Sequence, residues 1–359
     1  MQKNHNNTQQ QKKMKVGKIL KISVLTALLI GCCIGAVIGY TYFVVKMQKA
    51  DIKETAYINI TPEDNSATIA KKLSAIEGIG STKGFELLAK HNGFDKRKRS
   101  GRFAIKNGDN MHTIYRRIVS NEQTPIKLVV PSTRTLEQLT GAISRQLMLD
   151  SLELSGFLTN PVYYTKIGYS KETLPSLFIP NTYEVYWNIK PELLMTRMLT
   201  EHRRFWNETR LAKAKKLNMT PEEVATLASI VDEETNNHEE MPVVAGMYIN
   251  RLKRGMPLQA DPTVKFAIGD PTRRRILKKD LDADSPYNTY KYKGLPPGPI
   301  RVPTIQAIES VLDYKKHNYL YMCAKEDFSG KHNFARTLSE HNANARHYQQ
   351  ALNKLNIKK

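Results

Sequence analysis

The segment Thr220–Thr235, TPEEVATLASIVDEET, decides the architecture of the C-terminal half of this 359-residue chain. Thr220 is a favourable N-cap and Pro221 suits the first helical position. Glu223 follows three residues after the cap and completes a capping box. At about 100° per residue, four apolar side chains share one stripe that we expect to face the core: Val224, Leu227, Ala228 and Val231. The segment therefore predicts an amphipathic helix.

The same helical rotation separates the three acids that end this segment. Glu233 is predicted to point away from the core, and Asp232 to lie on the far shoulder. Glu234 lies about 60° from the centre of the apolar stripe, closer than the other two. A carboxylate beside apolar neighbours, at the negative end of a helix, should have a raised pKa. A general acid near neutral pH needs such a pKa, so Glu234 is the candidate catalytic acid. A solvated acidic helix end is the ordinary alternative.

Charge is distributed unevenly along the chain. The formal net charge is +21, and six lysines lie within the first 21 residues, which contain no acid: Lys3, Lys12, Lys13, Lys15, Lys18 and Lys21. About +15 therefore remains for the rest of the chain. Such an excess predicts an anionic partner, which is a phospholipid surface, a nucleic acid or a polymer bearing carboxylates. The sequence contains neither a DNA-reading motif nor basic residues interleaved with aromatic ones. Nucleic acid is therefore not expected as a partner.

Residues 22–45 form an uncharged, mostly apolar run that is long enough to cross a bilayer. All six early lysines precede it, so the positive-inside rule makes residues 1–21 a cytoplasmic basic tail and places the later residues outside. The stretch Leu29–Cys32 resembles a lipoprotein cleavage box, which leaves a lipid anchor as an alternative. The apolar run continues a dozen residues past Cys32, which favours a spanning helix. Both alternatives predict an outward-facing, membrane-attached protein.

The outer part predicts two regions. Residues 51–124 alternate strand-like and helix-like segments, which predicts a small α/β module. Residues 125–359 predict a mixed domain that contains one long basic helix over 191–217. In this domain the aromatic stretch Phe178–Trp187 is either packed core or the lining of a sugar groove. The three cysteines predict neither a disulfide framework nor a metal site, and no cofactor is expected.

Polar segments that read as loops follow the acidic helix. A further helix over 241–255 comes first, and the stretch from 331 to 342 is the last of these loops. Amide, carboxyl and hydroxyl side chains of this kind pair with sugar hydroxyls. The candidates are Gln259, Asp261, Tyr287, Asn288, His332 and Asn342. His332 is equally well explained as a structural histidine.

Four motifs in this order resemble the endolytic murein transglycosylases, the MltG or YceG-like family. They are LASIVDEET (227–235), AGMYINRLKRGMPLQADPTV (245–264), SPYNTYKYKGLPPGPI (285–300) and HNFARTLSEHN (332–342). The resemblance implies an α+β fold with a single N-terminal transmembrane helix, a LysM-like module at 51–124 and a catalytic domain at 125–359. It implies Glu234 as the catalytic residue, and Thr263 joins the substrate-binding candidates named above. Two positions depart from the family: Asn181 replaces an aspartate and Asp232 replaces a glutamate, so a charged contact at Asn181 is in doubt.

The reaction that the resemblance implies is non-hydrolytic cleavage of the β-1,4 bond between N-acetylmuramic acid and N-acetylglucosamine. The product is a 1,6-anhydromuramic end, and the role is to limit strand length at the bacterial plasma membrane, beside peptidoglycan synthases. Two alternatives remain open. A muramidase would use Glu234 with Asp232, although the two side chains diverge by about 160° on a helix. A scaffold that binds peptidoglycan without catalysis is the other.

Overall fold

The computed structural model describes residues 2–270 and 276–355. Helix α1 spans Gln2–Tyr42 and continues as a π-helical turn, Phe43–Met47. Within the described residues, Leu20–Met47 is the one helical segment long and apolar enough to cross a membrane. This agrees with the apolar span predicted at 22–45. The chain then divides into two compact units, which are Met1–Pro125 with Tyr186–Asn188, and Ile126–Val185 with Ile189–Lys359.

The first unit is a small α/β module. Strand β1 (Ala56–Ile60) pairs antiparallel with β2 (Gly101–Ile105). The helices are α2 (Ser66–Ser74), α3 (Lys83–His91) and α4 (Met111–Val119). Alternate residues of the strands and one face of each helix form its core, in which Ile60, Ile69, Phe85, Phe103 and Ile114 are fully buried. The predicted mixture of helix and strand is found, and the likeness to LysM stays a prediction.

The second unit begins with a strand whose antiparallel partner lies about 50 residues later in the sequence. Strand β3 (Ile126–Val130) pairs antiparallel with β4 (Asn181–Val185). Between them lie α5 (Leu136–Ser144), α6 (Ser151–Thr159) and α7 (Pro161–Lys166). The stretch Phe178–Trp187 supplies Phe178, Ile179, Tyr183 and Val185 to the buried cores of this unit. Of the two interpretations of this stretch, packed core is therefore correct.

The predicted long helix over 191–217 is wrong, because the chain forms two helices there. They are α8 (Pro191–Phe205) and α9 (Glu208–Lys216). Trp206 is buried, with its backbone outside the helical region at φ −79° and ψ 62°. The Asn207 side chain then accepts a hydrogen bond from the Arg210 backbone N–H at 3.0 Å. An asparagine that caps a new helix competes with continuation of the old one.

Helix α10 (Pro221–Glu234) begins as predicted, at a capping box. The Thr220 backbone N–H donates to Glu223 at 2.8 Å, and the Glu223 backbone N–H donates to Thr220 Oγ1 at 3.2 Å. The predicted stripe faces the core, since its four apolar residues are fully buried, and burial extends beyond it to all of residues 224–232. Helices α11 (Met241–Lys253) and α13 (Ile305–Leu312) both pack against α10. A helix at the centre of a core buries every face.

The C-terminal segments are more regular than the predicted loops. They form α12 (Asp261–Ala267), the antiparallel hairpin of β5 (Tyr321–Ala324) and β6 (His332–Ala335), and α14 (Leu338–Lys354). The prediction of a loop over 331–342 is therefore wrong. Helix α14 starts at a second capping box, Thr337 with Glu340. That threonine and glutamate, spaced by three, were a readable signal in the sequence.

Candidate active site

Glu234 is the last residue of α10, where the helix gives way to the extended backbone of Thr235. Its carboxylate accepts a hydrogen bond from the Tyr248 hydroxyl, with 2.6 Å between the two oxygens. Tyr248 is buried on α11, a helix that packs directly against α10. The position and the orientation of the carboxylate are therefore fixed by two packed helices.

Burial raises the pKa of Glu234 to about 7. The hydrogen bond from Tyr248 works in the opposite direction, and so does the charge of Lys265. The negative charges of Asp261 and Glu233 raise the pKa further. The raised pKa predicted from the sequence is found, and its cause is loss of solvation. Near neutral pH the carboxyl group is therefore present in both protonation states.

Glu234 opens into a cleft with a cavity volume of about 400 Å³. Polar and aromatic side chains of the second unit surround it, and those that carry the argument below are Tyr248, Arg251, Gln259, Asp261, Tyr290, Tyr321, His332 and His341. A second recess of about 650 Å³ lies alongside, and Glu234, Ala324 and His332 belong to the walls of both. Space is therefore available on two sides of the carboxylate.

Three of the predicted substrate-binding residues lie in the cleft. Gln259 is exposed and has the left-handed backbone conformation, at φ 52°, which is uncommon for a residue with a side chain. Asp261 is exposed and accepts a hydrogen bond from the Tyr290 hydroxyl at 2.6 Å. His332 Nδ1 lies 3.2 Å from Glu240, and none of the described residues hydrogen-bonds its Nε2. The pairing with Glu240 gives His332 a structural contact and leaves Nε2 for a ligand.

Thr263 and Asn288 do not line the cleft, so their positions do not support the prediction that they bind substrate directly. Both are fully buried. Thr263 Oγ1 donates to the Ala260 carbonyl at 2.7 Å, and the Asn288 amide donates to the Leu281 and Ala283 carbonyls at 2.8 Å each. Their hydrogen-bonding groups are used to hold the surrounding loops in place.

Tyr287 and Asn342 also lie outside the cleft lining. The Tyr287 ring packs against Phe266, with 4.6 Å between the ring centroids. Asn342 is exposed on α14. The neighbouring His341 lines the cleft instead and stacks on Tyr321. Because residues 331–342 were predicted to be a loop, the sequence could not show that adjacent residues His341 and Asn342 point in different directions from a helix.

Asp232 and Glu233 face a different environment. Asp232 is buried and accepts hydrogen bonds from the Thr304 backbone N–H at 2.9 Å and the Thr304 hydroxyl at 3.0 Å. Glu233 accepts two 2.8 Å hydrogen bonds from Arg134 and one of 2.9 Å from Arg301. The sequence predicted only that Glu233 points away from the core, and on that side two arginines from distant segments cover it. Neither acid lines the cleft.

Sequence reasoning missed several residues that shape the cleft. Tyr248, Tyr290 and Tyr321 are not among the candidates named from the sequence. Arg251 is buried and donates to the carbonyls of Leu320 at 2.7 Å and Leu258 at 2.6 Å. A tyrosine or an arginine on a core-facing stripe was the available signal, since a buried hydroxyl or guanidinium needs a partner.

Comparisons with known proteins identify the family of the chain. Residues 58–347 match the YceG-like family. A Bacillus subtilis protein named endolytic murein transglycosylase is 30% identical over 329 residues, which is 86% of this chain and 89% of that protein. A Streptococcus pneumoniae protein of the same name is 27% identical over 354 residues, and the match covers 89% of this chain and 63% of that protein.

A solved structure gives the same result at the level of fold. The crystal structure of a yceG-like protein from Listeria monocytogenes aligns with a TM-score of 0.55 and 27% sequence identity. The alignment covers 81% of this chain and 99% of that one. The family match includes the first unit from residue 58 onward and the complete lining of the cleft. This chain belongs to the YceG-like family.

Proposed function

We propose that this protein is a membrane-anchored lytic transglycosylase that cleaves peptidoglycan strands non-hydrolytically. The bond cleaved joins N-acetylmuramic acid to N-acetylglucosamine through a β-1,4 linkage, and the new end is 1,6-anhydromuramic acid. One observation carries the proposal. Glu234 stands at the wall of an open polar cleft with a pKa raised to about 7, as a group that must act as acid and then as base requires.

Glu234 performs both proton transfers in this mechanism. The protonated carboxyl group gives its proton to the glycosidic oxygen, and the bond from that oxygen to the anomeric carbon of muramic acid breaks. The 6-hydroxyl of the same muramic acid then attacks the anomeric carbon, and the ionised Glu234 accepts its proton. Tyr248 holds the carboxylate through both steps, since it donates to Oε1 from a buried position. No water molecule is consumed.

The two recesses beside Glu234 support cleavage inside a strand. A strand that enters sideways needs room for sugars on both sides of the cleaved bond, and Glu234 belongs to the walls of both cavities. We assign Gln259, Asp261 and His332 to sugar contacts, because their side chains line this space. The lactyl and peptide carboxylates of the polymer suit the positive charge of the chain.

The N-terminal helix serves as the membrane anchor in this proposal. By the positive-inside rule, the early lysines support an N-terminus in the cytoplasm and residues 51–359 outside the bacterial plasma membrane. The first unit would then act as a LysM-like module that binds glycan. Strands emerging from peptidoglycan synthases would be cut close to the membrane, which limits their length.

A muramidase-type hydrolase is the second candidate, and Asp261 favours it. Hydrolysis with two carboxylates requires both to face the sugar. Asp232 does not meet that requirement, because it is buried against Thr304. Asp261 lines the same cleft as Glu234. The two candidates differ in product, since a hydrolase leaves reducing ends in place of anhydro ends.

Mass spectrometry of products tests the proposal. The full chain in detergent is incubated with uncrosslinked glycan strands, with wild type beside Glu234→Gln. Glu239→Gln is the matched control, because Glu239 is exposed on the connection just after α10 and lies outside the cleft lining. We expect anhydro-ended fragments from wild type and from the control, and a loss of at least about 10³-fold in Glu234→Gln.

Other outcomes would contradict the proposal. Hydrated reducing ends from wild type would identify a muramidase. Equal cleavage by wild type and Glu234→Gln would remove Glu234 from the mechanism. Strands that bind but are not cleaved by any of the three proteins would identify a peptidoglycan-binding scaffold.

A further inference from the structure

The cleft contains a second carboxylate, Asp261, whose surroundings parallel those of Glu234. Each carboxylate accepts a hydrogen bond from a tyrosine hydroxyl at 2.6 Å, Glu234 from Tyr248 and Asp261 from Tyr290. All four side chains line the same cavity. Two oriented carboxylates therefore face one substrate-sized space.

Asp261 is held in place by a set of backbone ties. The Gln259 N–H donates to the Thr289 carbonyl and the Ala260 N–H donates to Thr289 Oγ1, both at 3.0 Å. The hydroxyls of Thr263 and Thr289 lie 2.8 Å apart. These contacts bind the start of α12 to the segment that ends in Tyr290. The cleft thus fixes the carboxylate before any substrate arrives, which is the condition for electrostatic catalysis.

The two carboxylates differ in their exposure to solvent. Glu234 is partly buried and its pKa is raised to about 7 by loss of solvation, whereas Asp261 is exposed on the cleft wall. Glycosidases commonly separate the roles of two carboxyl groups in this way, one donating a proton and the other presenting a charge. In the proposed reaction Glu234 is the proton donor, which leaves the second role for Asp261.

We propose that Asp261 is an additional catalytic group of this enzyme, and that its carboxylate stabilises the positive charge that develops on the muramic acid ring. The inference rests on the transglycosylase function proposed above. It makes Tyr290 a positioning residue, because the Tyr290 hydroxyl orients the Asp261 carboxylate.

The chemistry remains balanced without a bond to Asp261. As the glycosidic bond breaks, its electron pair leaves with the oxygen that Glu234 protonates. The positive charge is shared by the anomeric carbon and the ring oxygen, and it is largest in the transition state. The 6-hydroxyl attack then neutralises the ring, and the hydroxyl proton returns to Glu234. Asp261 neither gains nor loses a proton or an electron pair.

Other charged groups around Glu234 set the direction of the expected pH effects. Glu233 lies on the same helix, Tyr248 on α11, and Asp261 and Lys265 on α12. The other titratable groups in the lining of the cleft are Arg251, Tyr290, Tyr321, Cys323, His332 and His341. Removing the negative charge of Asp261 lowers the pKa of Glu234, and removing the positive charge of Lys265 raises it. The two substitutions must therefore move the pH profile in opposite directions.

The experiment measures kcat, KM and product ends against pH for the full chain in detergent, with uncrosslinked glycan strands. Asp261→Asn keeps an oxygen for the Tyr290 hydrogen bond, so we expect kcat to fall by about 10²-fold while folding is preserved. The fragments should keep anhydro ends. Activity should be lost at a lower pH than in wild type, because Glu234 deprotonates earlier. Lys265→Met should extend activity to higher pH.

Asp284→Asn is the matched control. Asp284 is exposed outside the cleft lining, and it also accepts a tyrosine hydrogen bond, from Tyr292 at 2.7 Å. We expect wild-type kcat and pH profile from this control. Tyr290→Phe should lower kcat by about tenfold, which is less than Asp261→Asn, because the charge of Asp261 remains.

Each contrary result has a definite meaning. A raised KM with unchanged kcat for Asp261→Asn would limit Asp261 to binding the sugar, without a role in the chemical step, and overturn the inference. An unchanged profile in every parameter would do the same. A melting temperature that falls below that of Asp284→Asn would mean that the loss of kcat reports on folding, and Tyr290→Phe then decides. Wild-type protein that makes no anhydro ends overturns the proposed function itself, independently of the result for Asp261.

Discussion

The C-terminal end of α10 carries carboxyl groups on two sides, and their surroundings differ. On one side, Asp232 accepts hydrogen bonds from Thr304, and Glu233 accepts hydrogen bonds from Arg134 and Arg301. On the other side, Glu234 accepts one hydrogen bond, from Tyr248, and partial loss of solvation raises its pKa. Three consecutive acids thus divide into two that stabilise the structure and one that remains reactive.

The three carboxyl groups differ because their hydrogen-bonding partners differ, and the helix itself contributes little to the difference. All three residues share the same negative helix end, so the macrodipole acts on them alike. Arginines from residues 134 and 301 approach only one side. A carboxylate becomes a structural ion where cations and N–H groups converge, and a proton carrier where they are withheld.

The largest expected effect comes from removing the buried structural acid. Asp232→Ala leaves the Thr304 backbone N–H and hydroxyl without their acceptor, and Arg301 loses a neighbour at 3.5 Å. We expect the free energy of unfolding to fall by about 3–5 kcal/mol, as for other broken buried ion pairs. Denaturant unfolding of the full chain in detergent measures it.

Asp313→Ala provides the control for that measurement. Asp313 pairs with Lys213 at 2.6 Å, but its side chain is 56% exposed. Surface pairs of this kind contribute less than about 1 kcal/mol. Equal destabilisation by the two substitutions would show that burial does not distinguish these acids.

Glu234→Gln is expected to stabilise the protein at high pH, in contrast to Asp232→Ala. An unfolded chain ionises this carboxyl group at its ordinary pKa of 4.5, whereas the folded protein does so at about 7. Below pH 4.5 the group is protonated in both states and has no effect on stability. As the pH rises from 4.5 to 7, only the unfolded chain ionises, so the stability of the wild type falls by on the order of 3 kcal/mol.

Glutamine removes this loss because it does not ionise. The variant should therefore match the wild type at pH 4 and exceed it at pH 8, in unfolding experiments on the full chain. Glu239→Gln should show no such difference between the two pH values. If Glu234→Gln is no more stable than the wild type at pH 8, the pKa of Glu234 is not raised as proposed, and the carboxyl group is well solvated.

The smallest effect tests the single hydrogen bond on the reactive side. Tyr248→Phe removes the donor to Glu234, and this hydrogen bond lowers the pKa of the carboxyl group. The pKa should therefore rise, and activity should persist to higher pH by on the order of one unit, since a hydrogen bond to a charged group is comparable to about 1.4 kcal/mol. The pH dependence of kcat/KM measures the shift.

Tyr292→Phe is the matched control, since Tyr292 donates to the exposed Asp284 at 2.7 Å. Its pH profile should equal that of the wild type. A shift of the Tyr248→Phe profile toward lower pH would mean that the hydroxyl favours the protonated form of Glu234, and the two sides of the helix end would differ less than proposed.

The sequence contained the local signals for much of this structure. The capping box at Thr220 located the start of α10, and rotation alone selected Glu234 over its two neighbours. Local patterns did not reveal that Arg134 and Arg301 cover Glu233, because those contacts join residues 99 and 68 positions apart. The helical rotation predicted the correct side of the helix for Glu233, but which residues contact it there depends on the tertiary fold.

The loop residues illustrate the same limit in the cleft. Thr263 and Asn288 have the chemistry of sugar ligands, yet backbone carbonyls already occupy their hydrogen-bonding groups. Gln259, Asp261 and His332 have similar chemistry and line the cavity. Composition cannot separate a polar side chain that supports a loop from one that projects from it, because the distinction depends on which backbone groups lack partners.

The position of Glu234 between two recesses has a consequence for the number of reactions needed. In the proposed function, one cut near the middle of a glycan strand halves its length at once, whereas trimming from an end shortens it by one unit per turnover. Strand length then depends on how often an enzyme molecule meets a growing strand. A few slow copies beside each site of synthesis would be sufficient, and their abundance would set the average length of the strands.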